Sequence, residues 1–252
     1  MLDFKGKRPQ NRLKRMTLII GARCKDGVVL VADSKAIRGD EERYEQKMIG
    51  FFENNVILAT AGSANLLDKF IRQIDLDIEN TRNQLPENKR AEPVFKNKED
   101  FLLYLERKIR FFRNEYSQDG VSLDLLAGFT GTKSSLHVLG TGSPSESEIH
   151  DYLAIGHGAP YSKLVMKTLW KPEMDIIQCG SLVLTVLHMI TNLSLDLTVG
   201  GQPNIVLIPD NQIARGLSPE ESEEIEGNVK KIVNYFNTFL KSSFKIFFPT
   251  EK

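Results

Sequence analysis

The segment from Thr17 to Lys35 constrains the fold more than any other part of the chain. Apolar and β-branched residues run from Leu18 to Asp33 on both sides of Lys25-Asp-Gly27. Because Asp and Gly tolerate the positive φ of a tight turn, this pattern predicts a β-hairpin. Residues 47–61 repeat the pattern around Glu53-Asn-Asn55. The folded part of the chain is therefore expected to begin with meandering antiparallel strands.

Helices are predicted in pairs after these strands. Apolar residues recur at helical spacing from Ser63, a candidate N-cap, to about Asn80. The other predicted helices cover 98–116, 159–169 and 175–193, and the later strands cover 124–130, 135–139, 152–155 and 204–208. A further strand segment is expected just before Gly200-Gly201.

Strand runs that alternate with helix pairs argue against a doubly wound parallel sheet. The sequence instead predicts an α+β fold, a four-layer αββα sandwich of two antiparallel sheets flanked by helix layers. An added C-terminal helix is expected from Ser218-Pro-Glu-Glu221 to about Leu240. Its start combines a serine cap, a proline in the first turn and a glutamate placed for a capping box.

Composition excludes several classes of partner and cofactor. The 252 residues carry 33 basic and 33 acidic side chains, so no overall field favours nucleic acid or an anionic membrane, and neither partner is expected. The only cysteines, Cys24 and Cys179, are far apart in the sequence and are expected to be reduced core residues of a cytoplasmic protein. The four histidines lack the paired spacing of metal ligands, so no metal or other cofactor is expected.

Four blocks of residues together resemble the proteasome β-subunit family. They are Thr17 to Lys35, Lys47 with Ala61-Gly62-Ser63, Ala154 to Tyr161, and Asp196 followed by Gly200-Gly201. Each block is common by itself, whereas their order and spacing are specific. The resemblance covers Thr17 to about Ile208. It implies an N-terminal nucleophile (Ntn) hydrolase that assembles in stacked rings of α and β subunits and cuts unfolded polypeptide.

The resemblance assigns five residues to the catalytic site. Thr17 matches the nucleophile, whose freed α-amine acts as the base, since a threonine hydroxyl is a weak nucleophile at neutral pH. Lys47 matches the adjacent cation and Asp33 the acid that orients it. Gly62 matches the oxyanion donor and Asp196 an acid near the nucleophile.

Two expectations concern how the chain is divided. The resemblance implies an Ntn-hydrolase domain over residues 17–210, preceded by a basic leader or propeptide over 1–16, and the helix predicted after Ser218 makes residues 211–252 a helical extension. The leader must be removed before Thr17 can act. The family usually has glycine before its nucleophile, whereas this chain has Met16. If translation starts at Met16, removal of the initiator methionine would expose Thr17 directly.

Two further departures affect the support of the nucleophile. His157 stands in Gly156-His-Gly158 where the family typically has a serine, and it is either a different site support or an ordinary loop histidine. Val199 stands where a second serine is usual, and its side chain cannot make that hydrogen bond. These changes are compatible with reduced or absent activity.

The resemblance also implies a pocket for the side chain that precedes the cut bond. Its lining residues would be Ala36, Glu45, Ile49, Thr60, Ala64 and Asp68. Glu45 and Asp68 either favour a basic substrate side chain or are ordinary surface acids.

Three functions stay open at this point. The leading hypothesis is a threonine-type endopeptidase subunit of a proteasome-like ring, with an activating ATPase as a further partner. The alternatives are a non-catalytic structural β-type subunit and a stand-alone Ntn amidase or transpeptidase.

Overall fold

The computed structural model describes residues 17–38, 41–62, 64–90, 94–95, 97–116, 123–140, 147–192 and 199–247. The strands are β1 (Leu18–Cys24), β2 (Gly27–Ala32), β3 (Lys35–Arg38), β4 (Glu41–Tyr44), β5 (Met48–Phe51), β6 (Val56–Gly62), β7 (Leu123–Phe129), β8 (Ser135–Gly140), β9 (Ser147–Ile149), β10 (Tyr152–Gly156) and β11 (Asn204–Pro209). The helices are α1 (Ala64–Gln84), α2 (Lys98–Tyr116), α3 (Ala159–Leu169), α4 (Ile176–Asn192) and α5 (Pro219–Phe247), with one 3-10 turn at Glu87–Lys89.

Two antiparallel sheets form the centre of the fold. One has the strand order β10-β1-β2-β11 and the other β5-β6-β7-β8-β9, while β3 and β4 form a separate hairpin. Ile19 and Leu30 from the first sheet pack with Ala59, Leu126 and Leu136 from the second, in a core between the sheets. This face-to-face packing leaves one outer face on each sheet for helices.

Each outer face is covered by a helix pair. Leu18, Ile20 and Val29 pack with Val183 and Val186 of α4 in the layer above the four-stranded sheet, where α3 also lies. Beneath the other sheet, a second cluster joins α1 and α2 to β6 and β7. It includes a group of contacting aromatic rings, namely Phe51, Phe52, Phe95, Phe101 and Tyr104. The predicted αββα sandwich is confirmed.

The added C-terminal helix packs on its own domain. Ile225 of α5 is fully buried and lies against Gly180 of α4. Asn228 Nδ2 donates to Ser181 Oγ at 3.3 Å. At the start of α5, the Glu221 amide donates to Ser218 Oγ at 3.2 Å and the Ser218 amide donates to Glu221 Oε2 at 2.8 Å. The predicted capping box is therefore present.

Several boundaries differ from the sequence predictions. Helix α1 continues to Gln84 rather than Asn80, and α5 continues to Phe247 rather than Leu240. The β3–β4 hairpin and the short strand β9 were not predicted. Ser63, the expected cap of α1, and the strand segment expected just before Gly200 lie outside the described residues. The division of the chain at residue 210 stays a prediction.

Candidate active site

Thr17 stands at the entrance of β1, an interior strand of the four-stranded sheet. It is only 5% exposed, and Leu18 next to it is fully buried. Leu18 pairs with Gly156 of β10, and the His157 amide donates to the Thr17 carbonyl at 2.8 Å. The backbone of Thr17 is therefore held by the neighbouring strand.

Gly156 permits this close approach. Its φ is +92°, and a Cβ atom built at this position would overlap the Thr17 carbonyl oxygen. Glycine adopts such a conformation without the steric cost that other residues pay. The loop from β10 to α3 thus depends on Gly156 to reach Thr17.

Asp33 and Lys47 form a buried ion pair next to this backbone. Asp33 follows β2 directly and Lys47 precedes β5, so one residue comes from each sheet. Lys47 Nζ lies 2.7 Å from Asp33 Oδ1, and the two side chains are 6% and 1% exposed. Lys47 Nζ also donates to the Lys35 carbonyl at 2.5 Å. The pair joins the two sheets at the end where Thr17 lies.

The Asp33 carboxylate accepts hydrogen bonds on both oxygens. The Leu18 amide donates to Oδ1 at 2.8 Å, and the Gly200 amide donates to Oδ2 at 3.2 Å. Asp33 therefore fixes the residue that follows Thr17, the Lys47 ammonium and the Gly200 loop at once. Its contacts explain why a carboxylate can be buried here.

Burial acts in opposite directions on the two charged groups. Burial raises the pKa of Asp33, whereas the charge and hydrogen bond of Lys47 and the two backbone donors lower it. Burial lowers the pKa of Lys47, whereas the negative charges of Asp33 and Glu45 raise it. Both shifts follow from removing charged forms from water. A lysine with a lowered pKa can exchange a proton with a neighbouring amine or hydroxyl more readily than a solvated one can.

Of the other predicted catalytic residues, Gly62 is described and Asp196 is not. Gly62 is the last residue of β6 and has a φ of 140°. Asp196 lies outside the described residues. His157 is exposed, and its backbone amide donates to the Thr17 carbonyl. Val199 is 3% exposed and lies next to Gly158.

Two of the predicted pocket residues, Glu45 and Thr60, interact with Lys47. Glu45 is half-buried, and its charge acts on Lys47. Thr60 is buried and donates its amide to the Lys47 carbonyl at 2.9 Å. Ile49 packs towards the cluster under α1 and α2, and Asp68 is exposed on α1. Ala36 is the second residue of β3, and Ala64 is the first residue of α1.

Sequence reasoning missed the backbone groups that complete the Asp33–Lys47 pair. The Lys35 carbonyl, the Leu18 amide and the Gly200 amide all bond to it. Of these three groups, only the Gly200 amide belongs to a residue that the sequence singled out, because Gly200-Gly201 is part of the family resemblance. Among the described residues, no three His, Cys, Asp or Glu side chains are grouped to hold a metal ion.

The described helices also lack a candidate membrane span, since none is both long and apolar enough to cross a bilayer. An open groove of about 750 Å³ lies away from Thr17, between α4 and α5, and its lining includes Leu182, Ile232 and Phe236. None of the predicted site residues lines this groove.

Solved structures with the same fold include those of Anbu proteins. The chain superposes on the Anbu (Gly-1) mutant from Hyphomicrobium sp. strain MC1 with a TM-score of 0.68 and 16% identity, over 94% of this chain and 98% of that one. It superposes on Anbu from the same strain with a TM-score of 0.66 and 16% identity, over 94% and 99% of the two chains.

Anbu (ancestral beta-subunit) from Yersinia bercovieri gives a TM-score of 0.63 at 15% identity, over 88% of this chain and 97% of that one. At these identities the likeness concerns the fold alone. A search of curated protein sequences finds no significant match.

A sequence model of protein families supplies the remaining comparison. The model described as "Proteasome subunit" matches residues 14–198, which include Thr17, Asp33, Lys47 and Gly62. Because the match covers most of the chain, this protein belongs to the proteasome subunit family.

Proposed function

We propose that this chain is a threonine-type endopeptidase subunit of a proteasome-like ring, which acts through Thr17 once residues 1–16 are removed. The observation that carries the proposal is the buried Asp33–Lys47 pair, whose acid also binds the amide of Leu18 at 2.8 Å. An acid and an ammonium enclosed beside a threonine backbone are the environment that an N-terminal nucleophile needs.

In this proposal each residue has a separate role. The Thr17 hydroxyl attacks the scissile carbonyl, and its freed α-amine accepts the hydroxyl proton and later returns it to the leaving amine. Lys47 favours the unprotonated amine and the developing alkoxide, because a nearby positive charge opposes protonation of the amine. Asp33 holds Lys47 in place.

The remaining groups would stabilise the intermediate. The Gly62 amide would donate to the oxyanion, and the open side of a glycine lets the substrate backbone come close. Asp196 would assist as an acid near the nucleophile. His157 would replace the missing serine as a hydrogen-bonding partner of the Thr17 amine, which its position beside the Thr17 carbonyl supports.

Glu45 is the residue of the proposed pocket that best supports a substrate preference. Its charge already acts on Lys47, so a basic substrate side chain entering beside Lys47 would meet a carboxylate. The other proposed lining residues are Ala36, Ile49, Thr60, Ala64 and Asp68. The proposed substrate is unfolded polypeptide. The proposed partners are other proteasome-type subunits and an activating ATPase, and the proposed location is the cytoplasm.

A peptide electrophile that reacts only with an N-terminal threonine tests the proposal. The protein is produced from a cleavable fusion that leaves Thr17 as the first residue, is incubated with the reagent, and is analysed by intact mass and peptide mapping. We expect one adduct on Thr17, its loss in Thr17→Ala, and its retention in Thr168→Ala, which changes an exposed threonine on α3. Absence of the adduct in a folded ring would reject the endopeptidase role.

The natural first residue needs a separate measurement. N-terminal mass spectrometry of protein expressed from its natural gene should recover chains that begin at Thr17. Recovery of the leader still attached to Thr17 in every chain would contradict the proposed maturation.

A second candidate function is a structural subunit of the same ring. It is favoured by Val199, whose buried apolar side chain lies beside Gly158 and cannot support a nucleophile by hydrogen bonding. A structural subunit would form a ring without labelling at Thr17. A stand-alone amidase would be labelled while its mass in solution corresponds to no ring.

A further inference from the structure

The only two cysteines of the chain, distant in sequence, meet in the core above the four-stranded sheet. Cys24 is the last residue of β1 and Cys179 lies in the first turn of α4, and they are 4% and 0% exposed. Both belong to the cluster that packs α3 and α4 on the sheet. The two thiols influence each other, since Cys179 raises the pKa of the Cys24 thiol.

The two sulfur atoms lie near carbonyl oxygens of neighbouring residues at the end of β1. Cys179 Sγ lies 4.0 Å from the Arg23 carbonyl oxygen, and Cys24 Sγ lies 3.8 Å from the Ala22 carbonyl oxygen. Cys24 and Ala22 share the helix-facing side of the strand, since side chains alternate along it. The pair is therefore directed from β1 towards α4.

Neighbouring hydrogen bonds hold this junction on both sides. The Trp170 indole Nε1 donates to the Arg23 carbonyl at 3.1 Å, and the Lys25 amide donates to the Met174 carbonyl at 3.0 Å. These two bonds tie the residues on either side of Cys24 to the segment that leads into α4. Such a frame keeps the sulfur atoms close when one of them reacts.

We propose that Cys24 and Cys179 are a redox modification site, at which a two-electron oxidant of the peroxide class links β1 to α4 through a disulfide. One thiol takes an oxygen from the peroxide to become a sulfenic acid, and the peroxide leaves as water. The sulfur of the second thiol then attacks the sulfenic sulfur and displaces its hydroxide. This hydroxide leaves as a second water with the proton of the second thiol. In sum, two thiols and one hydrogen peroxide give one disulfide and two waters.

The environment sets the rate of this reaction. The interaction with Cys179 and then burial raise the pKa of the Cys24 thiol, so the reactive thiolate is scarce in the closed structure. Cys179 lies in the first turn of α4, and helix ends open at a lower free-energy cost than the whole fold. We therefore expect slow oxidation that proceeds through opening of this turn.

Intact mass after peroxide treatment tests the proposal. The protein, in the form that begins at Met1, is incubated with hydrogen peroxide below its melting temperature, denatured, alkylated and digested without reduction. We expect a loss of two hydrogen atoms, no alkylation of either cysteine, and one cross-linked peptide that contains Cys24 and Cys179. Dithiothreitol should restore two alkylatable thiols. The bridged form should also melt roughly 5–10 °C higher, since the bridge closes a long loop.

Two single variants act as controls. Cys24→Ala and Cys179→Ala should each leave one thiol that is alkylated or carries added oxygen, with no internal cross-link. Should either variant fail to fold, the peptide map of the unchanged protein decides alone. Added oxygen on one sulfur without a bridge, or a bridge between two copies, would overturn the proposal. Two alkylatable thiols would also overturn it, once hydrogen exchange has shown that the first turn of α4 opens. The reaction involves no residue of the candidate active site, so its outcome is independent of peptidase activity.

Discussion

The Lys47 ammonium lies 2.7 Å from the Asp33 carboxylate, and this contact joins the two sheets of the fold. Asp33 belongs to the end of one sheet and Lys47 to the start of the other. Since both side chains are almost wholly buried, the removal of either charge leaves the other uncompensated. The pair is therefore expected to matter for stability as well as for chemistry.

Lys47→Met should destabilise the fold by about 3–5 kcal/mol, because Asp33 would remain buried without its cation. Urea unfolding at neutral pH measures the change. Lys230→Met is the matched control: Lys230 is 77% exposed and 4.0 Å from Glu226, so its effect should stay within about 0.5 kcal/mol. The double variant Asp33→Asn/Lys47→Met should lose less stability than the sum of its two single variants. Strict additivity would show that the two side chains do not interact.

Gly156→Ala should be destabilising by about 1–3 kcal/mol, because its φ of +92° is unfavourable for alanine and the new methyl group meets the Thr17 carbonyl. Gly227→Ala is the opposite case, since Gly227 lies inside α5 with open space around its Cα. That change should stabilise the protein by about 0.5–1 kcal/mol. Thermal unfolding of both variants tests the pair of predictions. Equal effects would contradict the left-handed conformation assigned to Gly156.

Stability should fall in acid through the capping box of α5. The hydrogen bonds from Arg215, made at 2.6 and 2.8 Å, lower the pKa of Glu221 from 4.5 to about 2. A depressed folded pKa gives stability that is present above the unfolded value and is lost as the pH falls from 4.5 towards 2. Glu221→Gln should remove part of this pH dependence, whereas Glu226→Gln, at a 67% exposed site, should not. Urea unfolding across this pH range distinguishes them.

Glu53→Gly should stabilise the turn between β5 and β6. Phe52, Glu53 and Asn54 all have positive φ, at 53°, 55° and 67°, and Glu53 is exposed. Glycine adopts this region without steric cost, so we expect a gain of up to about 1 kcal/mol. Lys25→Gly, in the β1–β2 turn, is the control, because Lys25 is exposed and does not adopt a positive φ. It should lose stability by a similar amount in the same unfolding assay.

Sequence periodicity located the five helices better than it located their ends. The bounds of α2 and α3 agree with the prediction, because their apolar residues recur strictly at helical spacing. The short strands were missed for a physical reason. Strands β3 and β4 have four residues each and carry charged side chains, and β9 has three residues at a sheet edge, so none shows the alternation that predicts a strand.

The candidate site was predictable only in part. Asp33 and Lys47 were identified through the family resemblance, and the structure brings them into contact. The Lys35 carbonyl and the Leu18 amide could not be foreseen, since every residue has such groups and only the fold selects the ones that bond. The meeting of Cys24 and Cys179 was hidden for a similar reason, because the packing of α4 on β1 brings them together.

The interior position of β1 has a consequence for the proposed maturation at Thr17. From Leu18 onward this strand pairs with β2 on one side and β10 on the other, and its side chains are enclosed by the two cores. A cut before Thr17 would leave every one of these pairings untouched. The new chain end would thus arise on a scaffold that is already complete, so that its release requires scission of one peptide bond and no refolding.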